Sequence, residues 1–196
     1  MHGRNILSRM EQFPQKSKLI LARKRKGFEV KDNFVVYTPT SDDLVVAHKR
    51  SCQLGVLPNS FTQGVGRMAG YLGEIAVHKY LKRSKYVGDS VFTHDLEYKK
   101  RKIEVKSKSC ATPPKPHYSA SVNCKKQFMP DNDAYFFTRV RKDFMIVWIV
   151  GWLPTTKLLK KATYKNRGET DTDGFVYKTS GLHIDIEDLQ SATLFQ

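Results

Sequence analysis

The chain is short of cysteine, of long apolar runs and of acid, and each shortage narrows what it can be. Its three cysteines, Cys52, Cys110 and Cys124, are odd in number and form no C-x-x-C pair, which excludes a disulfide framework and a zinc ribbon. Cys110, His117 and Cys124 are evenly spaced, but the gaps match no common zinc pattern and a fourth ligand is missing. The longest apolar run, Phe144 to Leu153, is about half of the roughly 20 residues a spanning helix needs, so no membrane insertion is expected. Met1-His2-Gly3-Arg4-Asn5 leads into a polar stretch without the apolar region of a secretory signal. Together with the cysteine usage, this leads us to expect a reducing, cytoplasmic setting.

The shortage of acid is the most informative. Thirty-four Lys and Arg face 19 Asp and Glu, for a formal charge of +15 over 196 residues. Such an excess favours a polyanionic partner, because neutralising phosphates releases counterions and gives affinity that does not depend on sequence. A merely soluble basic protein, or one resting on anionic lipid, is compatible with charge alone. The chain is 40% hydrophobic, enough for one compact domain with a real core.

Residues 1–35 read as a basic arm or short helix, an N-terminal basic helical extension of the domain, or as a solvated tail, with Lys16, Lys18, Arg23, Lys24, Arg25 and Lys26 crowded together. The domain is expected over 36–196. Ser41-Asp42-Asp43-Leu44 opens a helix with a small N-cap and acids in its first turn, running to about Leu54. A second helix is expected from about Thr62 to Arg83, apolar around most of its circumference. Its glycines at 64, 66, 70 and 73 follow no strand pattern and precede no Gly-Lys-Ser/Thr, so close packing explains them better than a phosphate loop. Beyond Gly88 the period changes to two. Strands are expected over 90–98, 102–109, 116–124, 134–141 and 144–152, then a short helix opened by Pro154 and a tail of short strands and turns closing on Leu194 and Phe195. The order is that of an α+β or mixed α/β domain.

The chemistry concentrates between Thr93 and Lys106. A hairpin turning at Lys99 and Lys100 places Asp95 opposite Glu104 and Leu96 opposite Ile103. Side chains alternate along a strand, so Asp95, Glu104 and Lys106 share one face while Leu96, Ile103 and Val105 turn to the core. Opposed carboxylates repel and need a compensating charge. Hard oxygen ligands without thiolate or imidazole point to Mg²⁺. Lys106 then lies at the edge of that site, where it can act on water or phosphate.

An acid two places before a lysine also occurs by chance, as in Glu29-Val30-Lys31 and Glu97-Tyr98-Lys99. Glu29 has no acid paired with it, and Lys99 falls in the turn. Glu74 lies in the apolar second helix, where a carboxylate is costly unless paired or ligating. Periodicity alone allows it equally to be an exposed residue beside His78, but its place before the hairpin favours the first reading.

Gly70-Tyr71-Leu72-Gly73-Glu74 on a helix, then Asp95, then Ile103-Glu104-Val105-Lys106-Ser107-Lys108, resembles the core of the PD-(D/E)xK nucleases, small phage-encoded members among them. The resemblance covers about residues 64–150. It implies a restriction-endonuclease-like αβββαβ core with a mixed central sheet and a Mg²⁺-dependent DNA endonuclease activity, either structure-selective or site-specific. It further implies a metal held by Asp95, Glu104 and the Val105 carbonyl, with Mn²⁺ as a substitute, Lys106 acting on the water and Glu74 as an auxiliary acid. A homodimer would suit double-strand cleavage. His94 stands where the namesake motif has proline. The competing expectation is a non-catalytic nucleic-acid-binding module, a degenerate nuclease or an RNA-binding protein.

Lys108, Lys115, His117, Lys125, Lys126 and Gln127 follow the hairpin and are candidates to track a phosphate backbone. Trp148, Trp152, Phe136 and Phe144 are expected in the core rather than stacked on bases.

Overall fold

A computed structural model describes residues 27–53, 65–87, 94–127, 130–171 and 174–195. It is a mixed α/β fold in which a seven-stranded mixed sheet has two of the three described helices on one face and the third helix with a second, smaller sheet on the other. The described chain begins with a hairpin, β1 (Phe28–Lys31) and β2 (Phe34–Tyr37). Asp32 and Asn33 turn it with φ of 50° and 67°, the left-handed pair that a two-residue hairpin turn requires. Because β2 pairs with an inner strand and Val35 and Tyr37 are buried, the boundary drawn after residue 35 cuts through this hairpin. Residues 27–35 belong to the domain, and the basic run lies outside the described residues.

Helix α1 (Ser41–Gln53) starts one residue away from the expected cap. Thr40 is the capping residue: its Oγ1 accepts from the Asp43 amide at 3.3 Å, and the Asp43 carboxylate accepts from the Thr40 amide at 2.9 Å, a reciprocal box. Helix α2 (Val65–Tyr80) ends three residues sooner than its apolar pattern suggests. Ser84 stops it, donating from Oγ to the His78 carbonyl at 3.1 Å and from its amide to Leu81 at 2.8 Å. Leu72, Ala76 and Val77 of α2 are fully buried against the sheet, and α1 packs on α2.

The remaining strands are β3 (Lys85–Tyr86), β4 (Leu96–Tyr98), β5 (Arg101–Cys110), β6 (Ser119–Asn123), β7 (Ala134–Arg141), β8 (Val147–Pro154), β9 (Thr163–Lys165) and β10 (Gly181–Asp185). Helix α3 (Thr155–Lys161) follows Pro154 as expected. The large sheet runs β1-β2-β8-β7-β5-β4-β3, and only β5 and β7 are parallel neighbours. The small sheet runs β6-β10-β9 and, with α3, covers the face opposite α2 through a second core containing Val122, Phe137, Leu158 and Ile184.

Two strand expectations change. The 116–124 strand forms as β6 but joins the small sheet, so the three-stranded meander is completed by β3, which precedes the hairpin. The crossover from β5 to β7 carries no helix among the described residues, and β6 occupies its course. Trp148, Trp152 and Phe136 are core residues, and Phe195 closes on Phe136 and Trp152 at ring distances of 4.8 and 4.5 Å.

Candidate active site

The β4–β5 hairpin has the expected register: Leu96 pairs with Ile103, Glu97 with Lys102 and Tyr98 with Arg101. Lys99 and Lys100 form the turn with φ of 51° and 65°. Leu96 and Ile103 are fully buried beneath α2, and that burial selects the register, since a one-residue slip would expose both. Strand β4 is only three residues long, so its ladder ends at Leu96. Asp95 lies just before it, held by its amide to the Ile103 carbonyl at 3.0 Å.

The Val105 amide is thereby left without a β4 partner. The Asp95 carboxylate accepts from it at 2.7 Å. Within a strand a residue sends its N–H and C=O to the same edge, so the Val105 carbonyl faces the side on which Asp95 stands. Glu104 and Lys106 project from the face opposite Ile103 and Val105, with Lys106 Nζ 2.5 Å from Glu104 Oε1. Glu104 is recessed, at 16% side-chain exposure, and Lys106 at 37% is the more open of the two.

Glu74 approaches from α2. Gly73 brings the helix this close: a Cβ there would lie 2.1 Å from Ser107 Oγ and 2.4 Å from Thr138 Oγ1. Gly70 has no neighbour within 4 Å of such a Cβ, so close packing accounts for Gly73 alone of these two. The Glu74 carboxylate accepts a short hydrogen bond from Tyr86 of β3. Burial, then the charge of Asp95, pushes Glu74 up to about 8, against the pull of Tyr86. Burial and then the charge of Glu104 push Asp95 up to about 7, against the Val105 amide and Lys106. All four predicted residues, Glu74, Asp95, Glu104 and Lys106, thus share one electrostatic environment. Their carboxylates repel one another when ionised, so Glu74 and Asp95 keep protons to higher pH than ordinary carboxyl groups do.

Among the described residues no three Asp, Glu, His or Cys side chains converge into a ready metal cage; each site carboxylate is engaged by a protein donor. The donors themselves, carboxylate oxygens and a main-chain carbonyl, are those a hard divalent cation takes. Two carboxyl groups held up by burial and repulsion are groups that such a charge would stabilise. The residues therefore fit Mg²⁺ or Mn²⁺.

The false matches stand apart. Glu29 and Lys31 are exposed on β1, and Glu97 faces His94 Nε2 at 3.5 Å while Lys99 occupies the turn. Of the proposed phosphate contacts, Lys115, His117, Lys125, Lys126 and Gln127 are exposed. Cys124, next to Lys125, senses the charge of Lys106. Lys108 differs, being partly buried and bound to the Ser119 carbonyl at 2.9 Å.

Sequence reasoning missed Tyr86, Arg50 and Tyr135. The Arg50 guanidinium stands 4.0 Å from the Tyr86 ring centroid and lowers the pKa of Glu74. Tyr135 is the β7 partner of Glu104. Tyr86 lies on a two-residue strand and Arg50 on another helix, so no local period marks either. No family model and no curated protein matches the chain.

Proposed function

We propose that the protein is a Mg²⁺-dependent DNA endonuclease of the PD-(D/E)xK type. The observation that carries this reading is the hairpin register, which sets Asp95 beside Glu104 and Lys106 with Glu74 added from α2. The order of helix α2, the antiparallel meander β3-β4-β5 and a fourth strand β7 parallel to β5 supports a restriction-endonuclease-like core, with β6 on the crossover where the resemblance implies a helix. The +15 charge supports a nucleic-acid substrate.

In this reading Asp95, Glu104 and the Val105 carbonyl hold the ion. When bound, a divalent cation supplies Lewis-acid polarisation of the phosphoryl oxygen and a more acidic water. Lys106, open on one side and tethered to Glu104 on the other, orients the attacking water and balances charge on the phosphate. Glu74, with its raised pKa and its bond to Tyr86, can hold a proton near neutrality and pass it within the site.

The test is incubation with linear, nicked, flapped and four-way DNA in Mg²⁺ or Mn²⁺, with EDTA as control. Metal-dependent cutting of at least one substrate is expected. Discrete bands from long linear duplex mark a site-specific enzyme, and cutting confined to branched DNA a structure-selective one. Tight binding without cutting of any substrate would instead favour a non-catalytic nucleic-acid-binding module.

A further inference from the structure

Along β5 the face that presents Glu104 and Lys106 continues to Lys108, beside Arg139 on the parallel neighbour β7. Lys108 Nζ and Arg139 Nη2 donate to the same acceptor, the Ser119 carbonyl, at 2.9 and 2.7 Å. A carbonyl carries no net charge. No Asp or Glu among the described residues forms an ion pair with either cation. His183, on Ser119 Oγ at 3.1 Å, is held neutral near physiological pH, burial and then Lys108 pushing it down to about 4. Burial and the charge of Arg139 likewise bring Lys108 down to about 8.

Two partly buried, uncompensated cations on one oxygen oppose folding, and each retains N–H groups that Ser119 does not use. The Arg139 guanidinium also lies 5.9 Å from the Tyr118 ring centroid, which connects the pair to the exposed turn bearing Lys115 and His117. Residues two apart on a strand are about 6.6 Å apart. That is on the scale of one nucleotide step, since phosphates of one strand rise 3.4 Å along the axis while also turning about it.

We infer that Lys108 and Arg139, with the Lys115–Tyr118 turn, form a phosphate-binding subsite that takes the backbone phosphate next to the one at Lys106. The inference rests on the nuclease reading for its substrate, but the anion site itself is independent of catalysis.

The experiment compares wild type with Lys108→Met and Arg139→Gln. Binding to a short DNA duplex is measured without divalent metal across a salt series, and melting is followed in about 1–20 mM inorganic phosphate at constant ionic strength. Each variant is expected to bind DNA about 5- to 10-fold more weakly, with the salt slope reduced by about one. Phosphate is expected to raise the melting temperature of wild type and of neither variant. Unchanged DNA affinity and salt slope in both folded variants would overturn the subsite even if wild type cuts DNA. Absence of any phosphate-dependent stabilisation of wild type would overturn it without recourse to a variant. If wild type cuts no DNA but the phosphate response is present and lost in the variants, the anion site stands and the nuclease reading fails.

Discussion

Glu74 and Asp95 behave as a buried like-charged pair, and the sign of the resulting pH dependence follows from proton binding. Their folded pKa values, about 8 and about 7, lie above the ordinary 4.5 and 3.8. Between roughly pH 4 and 8 the native state therefore binds more protons than the unfolded chain, and stability falls as pH rises through this window. Metal-free protein should melt several degrees lower at pH 8 than at pH 6. Added Mg²⁺ should stabilise more at the higher pH, where protons no longer compete for the carboxylates. A melting temperature that rises from pH 6 to 8 in EDTA would contradict the buried repulsion. Asp43 makes the opposite contribution. Burial raises its pKa, but Lys79 at 2.7 Å, Tyr37 and Thr40 outweigh this and hold it low, so the stability it provides is lost only in stronger acid. For Tyr86→Phe, loss of the bond that favours ionised Glu74 should shift the pH–rate profile of cleavage towards alkaline pH, with the fold retained. An unmoved profile would remove Tyr86 from the site.

At the scale of elements, α2 must lie against β5 for Glu74 to reach Asp95, and Gly73 is the contact that permits it. Gly73→Ala should cost about 1–3 kcal/mol in urea unfolding, because its methyl group meets Ser107 and Thr138, and should reduce cleavage as the helix is displaced. Gly70→Ala, facing open space, should be neutral or stabilise by up to about 1 kcal/mol through helix propensity. Equal effects at the two positions would remove the packing argument. The hairpin register was readable because period-two alternation and the Leu96–Ile103 pair agree with the turn at Lys99 and Lys100. The β1–β2 hairpin was also written in the chain, as apolar residues flanking Asp32-Asn33, but the neighbouring lysine run outweighed that turn signal. The place of β6 was not readable. Its partner β10 lies about 60 residues further on, and no local pattern distinguishes a strand of one sheet from a strand of the other. Arg50 and Tyr86 escaped for the same reason, since each reaches the site through a tertiary contact.

For the whole molecule, the +15 charge predicts that DNA binding weakens steeply between about 50 and 200 mM salt, and flat affinity over that range would remove the polyanion argument. Truncation that tests the basic arm should stop before Gly27, because cutting into Phe28–Lys31 removes a strand of the main sheet. No helix among the described residues is long and apolar enough to cross a membrane. The central claim is that the hairpin carboxylates perform chemistry, and Glu104→Gln addresses it most directly. Conversion of supercoiled plasmid in Mg²⁺ should be compared for wild type, Glu104→Gln, Glu97→Gln and Glu29→Gln, with circular dichroism confirming that each is folded. Glu104→Gln is expected to lose cleavage by about 10²-fold or more while the two false matches stay within a few-fold of wild type, and full activity in folded Glu104→Gln would contradict the active site described above.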